Sequence, residues 1–259
     1  MKNKLFGFAA VVCVFSLLNS AQGQTAVSEP VGWGGNYEGQ TNTPANLTGV
    51  TQVACGDSHT YALKSDGTLV RWGNNNYGQT NTPANLTGVT QVACGVYHTY
   101  ALKSGGTLVG WGDNNYGQTN TPANLTGVTQ VACGGFHTYA LKSDGTLVGW
   151  GHRYEGQTNT PANLTGVTQV ACGNYLTYAL KSDGTLVGWG RNNNTPSNLT
   201  GVTQVACGGF HTYALKSDGT LVGWGGNNNT PSNLTGVAQV ACGGYHTYAL
   251  KKDGTLVGW

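Results

Sequence analysis

Val50-Thr-Gln-Val-Ala-Cys-Gly-Asp-Ser-His59-Thr-Tyr-Ala-Leu-Lys64-Ser-Asp-Gly-Thr-Leu-Val-Arg-Trp72-Gly73 is the stretch whose reading decides the fold. Val50 to Cys55 is a short apolar run that ends in small residues. From His59 to Lys64 the residues alternate, His59, Tyr61 and Leu63 against Thr60, Ala62 and Lys64, the period of two that belongs to a strand. Residues 68–72 are rich in β-formers. Between the second and third runs lies Asp66-Gly67, a strong hairpin signal, read here as a turn with both central residues at positive φ. These runs predict three antiparallel strands. A fourth, outer strand within residues 40–47 is conceivable, but no pattern places it. Outside the first residues of the chain no segment holds a 3.6-residue period.

Working outward, the same stretch recurs. Trp stands at 33, 72, 111, 150, 189, 224 and 259, spaced 39, 39, 39, 39, 35 and 35 residues apart, and Cys at 55, 94, 133, 172, 207 and 242 keeps step. A period of this size marks an array of supersecondary units. The two shorter units lack four residues of the Tyr-Gly-Gln-Thr segment and keep the rest, so the missing four belong to a loop. One such sheet cannot bury two faces alone. Copies stacked about an axis can, with each Trp wedged between neighbours and strand edges hidden. The expected fold is all-β, a β-propeller of six complete antiparallel units. A linear solenoid would want polar end caps, and none is visible. The strand count leaves a second version open. There are six Val-Ala-Cys-Gly strands and six of the His-Thr-Tyr-Ala-Leu type, but seven Trp-bearing third strands. Residues 31–33 are either a spare strand beside six blades or the remnant of an incomplete seventh.

The recurring Gly-x-x-His-Thr-Tyr-Ala-Leu-Lys-Ser-Asp-Gly-Thr-Leu-Val-x-Trp-Gly, with Asn-x-Tyr-Gly-Gln, resembles the repeat of the regulator of chromosome condensation family across residues 31–259. The short period and the Gln-Thr-x-x-Pro element look closest to the exported bacterial branch, which includes the propeller-type β-lactamase-inhibitory protein. The resemblance implies a seven-bladed propeller and, from that branch, a rim that covers a partner protein, possibly a hydrolase. Nucleotide exchange, the activity of the eponymous relative, fits poorly with the charge and the short loops.

Composition narrows the function. Only 8% of the 259 residues are charged, against roughly 25% in an ordinary soluble protein, and there are 42 glycines. Coiled coils, helical bundles and charge-rich disordered chains are excluded. Lys2 and Lys4, the apolar run 5–18 and the small polar residues 19–23 follow the order of a secretory leader, expected at 1–23. The run is too short for a span, which needs about 20 residues. Residues 24–30 read as a linker and 31–259 as the propeller. Removing the leader takes two lysines from the 12 basic residues and leaves ten against ten acidic ones. A neutral chain has no electrostatic footprint for nucleic acid. The expectation is an exported monomer, secreted or held in the cell envelope, without a membrane span.

The residues that could carry chemistry have simpler uses. The six repeat cysteines hold one place per unit, so neighbouring copies should be too far apart for a disulfide, which needs Cα atoms within about 7 Å. They read as small buried hydrophobes with free thiols, and the spacing offers no metal-site pattern. His59, His98, His137, His211 and His246 share a place that Leu176 takes in the fourth unit, so each is read as a local hydrogen-bonding residue. His152 stands alone in a variable loop. Asn46, Asn85, Asn124, Asn163, Asn198 and Asn233 begin Asn-Leu-Thr, either a turn or a glycosylation acceptor, with the turn favoured. Five of the seven Asp sit in Asp-Gly turns, which leaves no carboxylate pair for acid–base work. No catalytic residue, cofactor site or metal site is expected, and the chain reads as a non-enzyme.

The repeats differ in two places: the pair before His and the residues after Trp-Gly. If the first strand rises, the second descends and the third rises, both places lie on one rim. That rim is the candidate site: Tyr37, Asp57, Tyr77, Tyr97, Asp113, Tyr116, Phe136, Arg153, Tyr154, Tyr175, Arg191, Phe210 and Tyr245. Aromatic rings among Asn and Gly suit recognition, because two χ angles are ordered at little entropic cost. The competing reading is that some of the rings fill gaps between blades. The expected function is binding of a protein partner, with multivalent glycan binding as the alternative.

Overall fold

The computed structural model of the protein describes residues 30–226 and 228–259. The expected leader, and all but the last residue of the expected linker, lie outside the described residues. Every regular element described is a strand, and no helix among them is long and apolar enough to cross a membrane. The strands form six three-stranded antiparallel sheets, each in the order inner, middle, outer. Blade 1 is Val50–Cys55, His59–Lys64 and Leu69–Gly73. The other inner strands are Val89–Cys94, Val128–Cys133, Val167–Cys172, Val202–Cys207 and Val237–Cys242. They surround a channel that all six inner strands line. This is the expected propeller, with one blade per repeat.

Two local expectations are corrected. Gly67 lies at φ 79°, but Asp66 is not among the positive-φ residues. The loop is Ser65-Asp66-Gly67, closed by Lys64 N donating to Thr68 O at 2.9 Å and Gly67 N to Lys64 O at 2.9 Å. This is the three-residue hairpin with a left-handed glycine at its end. Asp66 serves through its side chain. Its Oδ1 accepts from Thr68 N at 2.9 Å and from Thr68 Oγ1 at 2.6 Å. Thr68 is thereby drawn into the turn, and the third strand begins at Leu69. The fourth strand does not form. Residues 40–47 are turns, and the Gln40 carbonyl that a ladder would need accepts instead from Thr60 Oγ1 and Trp72 Nε1.

The middle strand explains how blades stack. Its large residues, Tyr61 and Leu63, face the next blade, and its small residue Ala62 lies on the opposite face. Across each junction a large face meets a small one: Tyr61 and Leu63 pack with Val89, Val92, Ala101 and Trp111 of blade 2. The middle strands of blades 1 to 5 are therefore buried on both sides, and the largest fully buried side chains are the tyrosines Tyr61, Tyr100, Tyr139, Tyr178 and Tyr213. The Trp of each of blades 2 to 6 wedges edge-on against the tyrosine of the preceding blade, as Trp189 does on Tyr139 with centroids 5.5 Å apart and Nε1 donating to Oη at 2.9 Å. Glutamine seals the inner wall. Gln52 Nε2 donates to Val92 O at 3.1 Å while its Oε1 accepts from Val92 N at 3.0 Å. Gln91, Gln130, Gln169 and Gln204 repeat this clamp on the following blades. Glycine is required after Cys for closeness, since a Cβ on Gly95 would sit 2.5 Å from Gly134 O of the next blade.

The six blades make five such cores, between blades 1 and 2 through to 5 and 6. Among the described residues no core joins blade 6 to blade 1. Trp33 instead reaches over from the start of the chain. Its ring lies edge-on to Tyr248 of blade 6, centroids 5.3 Å apart, and its Nε1 donates to the Tyr248 hydroxyl. It adds a sixth pair to the five Trp–Tyr pairs between blades, although residues 31–33 form no strand.

The Asn-Leu-Thr asparagines all sit in the left-handed region, φ 60–72°. Asn tolerates that conformation and Ala does not, the difference being about 1 kcal/mol. Asn85→Ala should lower the melting temperature by roughly 2–4 °C, while Asn85→Gly leaves it unchanged. Differential scanning calorimetry of the two variants checks this.

Candidate functional site

Hydrogen bonds join the two variable loops of each of blades 1 to 5. Asn74 N donates to Ser58 O, Asp113 N to Tyr97 O, His152 N to Phe136 O, Arg191 N to Tyr175 O and Gly226 N to Phe210 O, all at 2.8 Å. The pair before His and the residues after Trp-Gly therefore share one rim, as strand direction requires.

On that rim the aromatic rings of blades 1 to 4 touch in sequence. Tyr77 meets Tyr97 with centroids 4.5 Å apart, Tyr97 meets Phe136 at 6.2 Å, and Phe136 meets Tyr116 at 5.5 Å and Tyr175 at 6.3 Å. His152 lies at the hub, within 4.7 Å of Tyr116, 5.1 Å of Tyr154 and 6.0 Å of Tyr175. Sequence reading missed it. The signal was its place at the variable position after Trp-Gly, where the two preceding units put Asn74 and Asp113 and the next puts Arg191. Phe210 and Tyr245 form a separate pair at 5.4 Å. Tyr77, Tyr116, Phe210 and Tyr245 are about half exposed, and Tyr154 and Tyr37 almost fully. Tyr97, Phe136 and Tyr175 are half-buried beneath them. The inner rings are thus partly covered and the outer ones face solvent. Tyr37 has no ring partner among the described residues.

The charged candidates divide. Asp57 and Asp113 are largely buried. Asp113 Oδ2 accepts from Gln118 Nε2 at 2.8 Å, so this carboxylate shapes its own loop. Burial pushes the Asp57 carboxyl up. Burial, then the Asp57 charge, pushes the Tyr97 phenol up. Arg153 is exposed, and Arg191 faces Glu155 at 3.9 Å across exposed surface, a pair worth little.

Beneath the rim the histidines do something other than the local bonding expected. His59 Nε2 meets Thr99 Oγ1 of the next blade at 2.9 Å, and Thr99 Oγ1 donates onward to Gln79 O at 3.0 Å. With the threonine proton committed, His59 must donate from Nε2. His98–Thr138–Gln118 and His137–Thr177–Gln157 repeat the relay. Nδ1 of His59, His98, His137 and His211 is buried without a partner. Burial holds the first three imidazoles down at about 3 and His211 at about 4, so they are neutral struts between blades. None of the six repeat cysteines is joined in a disulfide. Cys94 and Cys133 Sγ each donate to an alanine carbonyl of the preceding blade at 3.5 Å, and burial pushes Cys133 up to about 12.

Known proteins agree with this architecture. Residues 50–79, 89–118, 128–157, 167–195, 202–230 and 237–259 match the family profile described as Regulator of chromosome condensation (RCC1) repeat. The comparison with curated proteins found no match. Among solved structures, the CRINKLY WD40 ectodomain of the Arabidopsis thaliana receptor kinase ACR4 superposes with a TM-score of 0.73 at 20% identity, covering 88% of this chain and 86% of that one. Prp20p of Saccharomyces cerevisiae, described with its binding to Gsp1p and histones, gives 0.69 at 20% identity, over 83% and 73%. Human WBSCR16 gives 0.65 at 24% identity, over 79% and 74%. At these identities the likeness is one of fold. The profile falls on each of the six blades and together covers well over half of the sequence, so this protein belongs to the regulator of chromosome condensation repeat family.

Proposed function

We propose that the protein is an exported, non-enzymatic binding module that engages a protein partner through the aromatic rim of blades 1 to 4. The continuous ring contact from Tyr77 to Tyr154 carries this reading. Half-exposed rings over a half-buried aromatic floor present rigid apolar area at little entropic cost, the make-up of a binding hot spot. Prp20, a propeller of similar fold, has been crystallised bound to Kap60. The leader-like order of residues 1–23 supports export. The near-absence of free carboxylates, and the commitment of the buried histidines to threonine, support binding without chemistry. A hydrolase is one kind of partner consistent with the bacterial resemblance.

The test is a Tyr77→Ala/Tyr116→Ala/Tyr154→Ala variant. Its melting temperature should stay within a few degrees of the parent, because all three rings face solvent. In affinity capture from envelope and culture-medium proteins, with identification by mass spectrometry, the protein retained by the parent should be lost. Retention of every partner by the triple variant overturns the rim assignment. Glycan-array binding that the variant abolishes, without a protein partner, would assign the rim to carbohydrate.

A further inference from the structure

We propose that the mouth of the central channel, where it opens onto the aromatic rim, is a socket for a lysine side chain of the protein partner. The Asp57 carboxylate receives the ammonium, and the Tyr77–Tyr97 ring pair is the wall for the stem. This rests on the reading of the rim as the partner's docking face and names the chemistry that the partner presents there.

The mouth is narrow, about 40 Å³, and lies above a channel of about 280 Å³. It is lined where the inner strands end in Cys-Gly. At the next position the repeats carry Asp57, Val96, Gly135, Asn174, Gly209 and Gly244, so a single carboxylate stands in an otherwise neutral ring. Asp57 is only 8% exposed. Its Oδ2 accepts from the adjacent Ser58 Oγ at a long 3.3 Å, and among the described residues no cation pairs with it. Burial pushes its carboxyl up, against the weaker pull of that bond. Asp113 is as deeply buried but is satisfied within its own loop, by Gln118 Nε2 at 2.8 Å and Asn115 N at 3.3 Å. A buried carboxylate without a counter-charge destabilises the free protein, and an incoming cation removes that cost.

The walls suit an alkylammonium. Tyr97 of the next blade stands close enough that the Asp57 charge, after burial, is a cause of its raised phenol. Tyr77 lies against Tyr97 with centroids 4.5 Å apart. Rings beside a carboxylate accommodate both the apolar stem and the charge of a lysine. A narrow mouth admits a compact ammonium on an unbranched stem more readily than a planar guanidinium. The charges of the rim point the same way. Asp57, Asp113 and the exposed Glu38, whose Oε2 accepts from Asn74 Nδ2 at 2.8 Å, gather about blades 1 and 2. Arg153 and Arg191 follow blades 3 and 4. Lys64, Lys142, Lys181, Lys216 and Lys251 stand at the far ends of their middle strands, each beside a turn aspartate. A partner is thereby steered with its basic side toward blades 1 and 2.

The probe is Nα-acetyl-lysine amide, titrated into the full chain while backbone amide shifts are followed by NMR. The amides of Gly56 and Gly95 should shift saturably. Asp57→Asn should weaken the probe about tenfold, and the Nε-acetylated probe, which keeps the stem and loses the charge, should bind about tenfold more weakly to the parent. Asp57→Asn should melt no lower than the parent, because it removes a buried charge that has no counter-charge. Absence of shifts at the mouth, equal binding of the Nε-acetylated or the arginine analogue, or an Asp57→Asn variant that melts well below the parent each overturns the proposal. The probe needs no partner protein. Its failure beside a protein captured through the rim tyrosines overturns the socket alone, whereas probe binding with no protein captured overturns the docking face.

Discussion

Stability should fall steeply as the pH drops from 7 toward 5. His59, His98 and His137 are neutral in the native state, held near 3 by burial, whereas in the unfolded chain they titrate near 6.5. A depressed native value means that the unfolded state binds more protons below about pH 6.5. The stability these residues protect is complete above that pH and is lost as the pH falls toward 3. Each contributes a slope of about 1.4 kcal/mol per pH unit, so three give about 4 kcal/mol per unit. Near pH 5 the loss is on the order of 6 kcal/mol, comparable with the whole stability of many domains. His211 acts in the same direction. The turn aspartates, held down mainly by their hydrogen bonds to threonine, add their loss only below the ordinary carboxylate range. Urea unfolding at pH 7.5, 6.5, 5.5 and 5.0 measures the slope, and a flat profile contradicts the buried, neutral assignment. The protein carries its own control in Leu176, which fills the same place without titrating. His137→Leu should cost about 1 kcal/mol at pH 7.5 through the lost bond to Thr177, yet gain relative to the parent at pH 5.

Tyr139→Ala should cost about 4 kcal/mol and lower the melting temperature by roughly 8–16 °C. The ring is fully buried in the junction between blades 3 and 4. Its hydroxyl meets Thr160 at 3.0 Å and accepts from Trp189 at 2.9 Å, so truncation leaves a cavity and takes away one of the two acceptors of the indole N–H, Gln157 O at 3.0 Å being the other. Tyr248→Ala removes the same residue type from blade 6, where the ring is only partly covered. That variant should lose half as much or less. Equal losses in urea titrations would mean that this face of blade 6 is packed like the five junctions between blades.

Much of this architecture was legible from residues 50–73 alone. Two-residue alternation marked the middle strand, and the invariant places of Trp and Cys marked the stacking unit. The shared rim followed from strand direction. What escaped has a common cause. Periodicity reports which side of a strand a residue occupies but not which blade it meets. His59 therefore looked local, although its partner is Thr99. His152 looked solitary, although four rings from other loop positions converge on it. The Asp-Gly turn was misread because its dipeptide suits two hairpin geometries. The choice between them rests on Thr68, whose amide and hydroxyl both find the Asp66 carboxylate. The fourth strand failed because Thr60 and Trp72 take the carbonyl at Gln40. Repeat arithmetic raised the question of residues 31–33, but only packing shows Trp33 continuing the tryptophan series at blade 6.

The large-into-small fit of successive blades has a vectorial consequence. Blade 6 presents tyrosine and leucine, and blade 1 presents valine and alanine, so the two ends of the array are complementary and not alike. Two molecules meeting through these ends must join head to tail; a twofold-symmetric pair would set bulky face against bulky face. Such heterologous contacts close only as rings or continue as filaments. The polarity written into one middle strand thus limits every larger assembly that these ends could build.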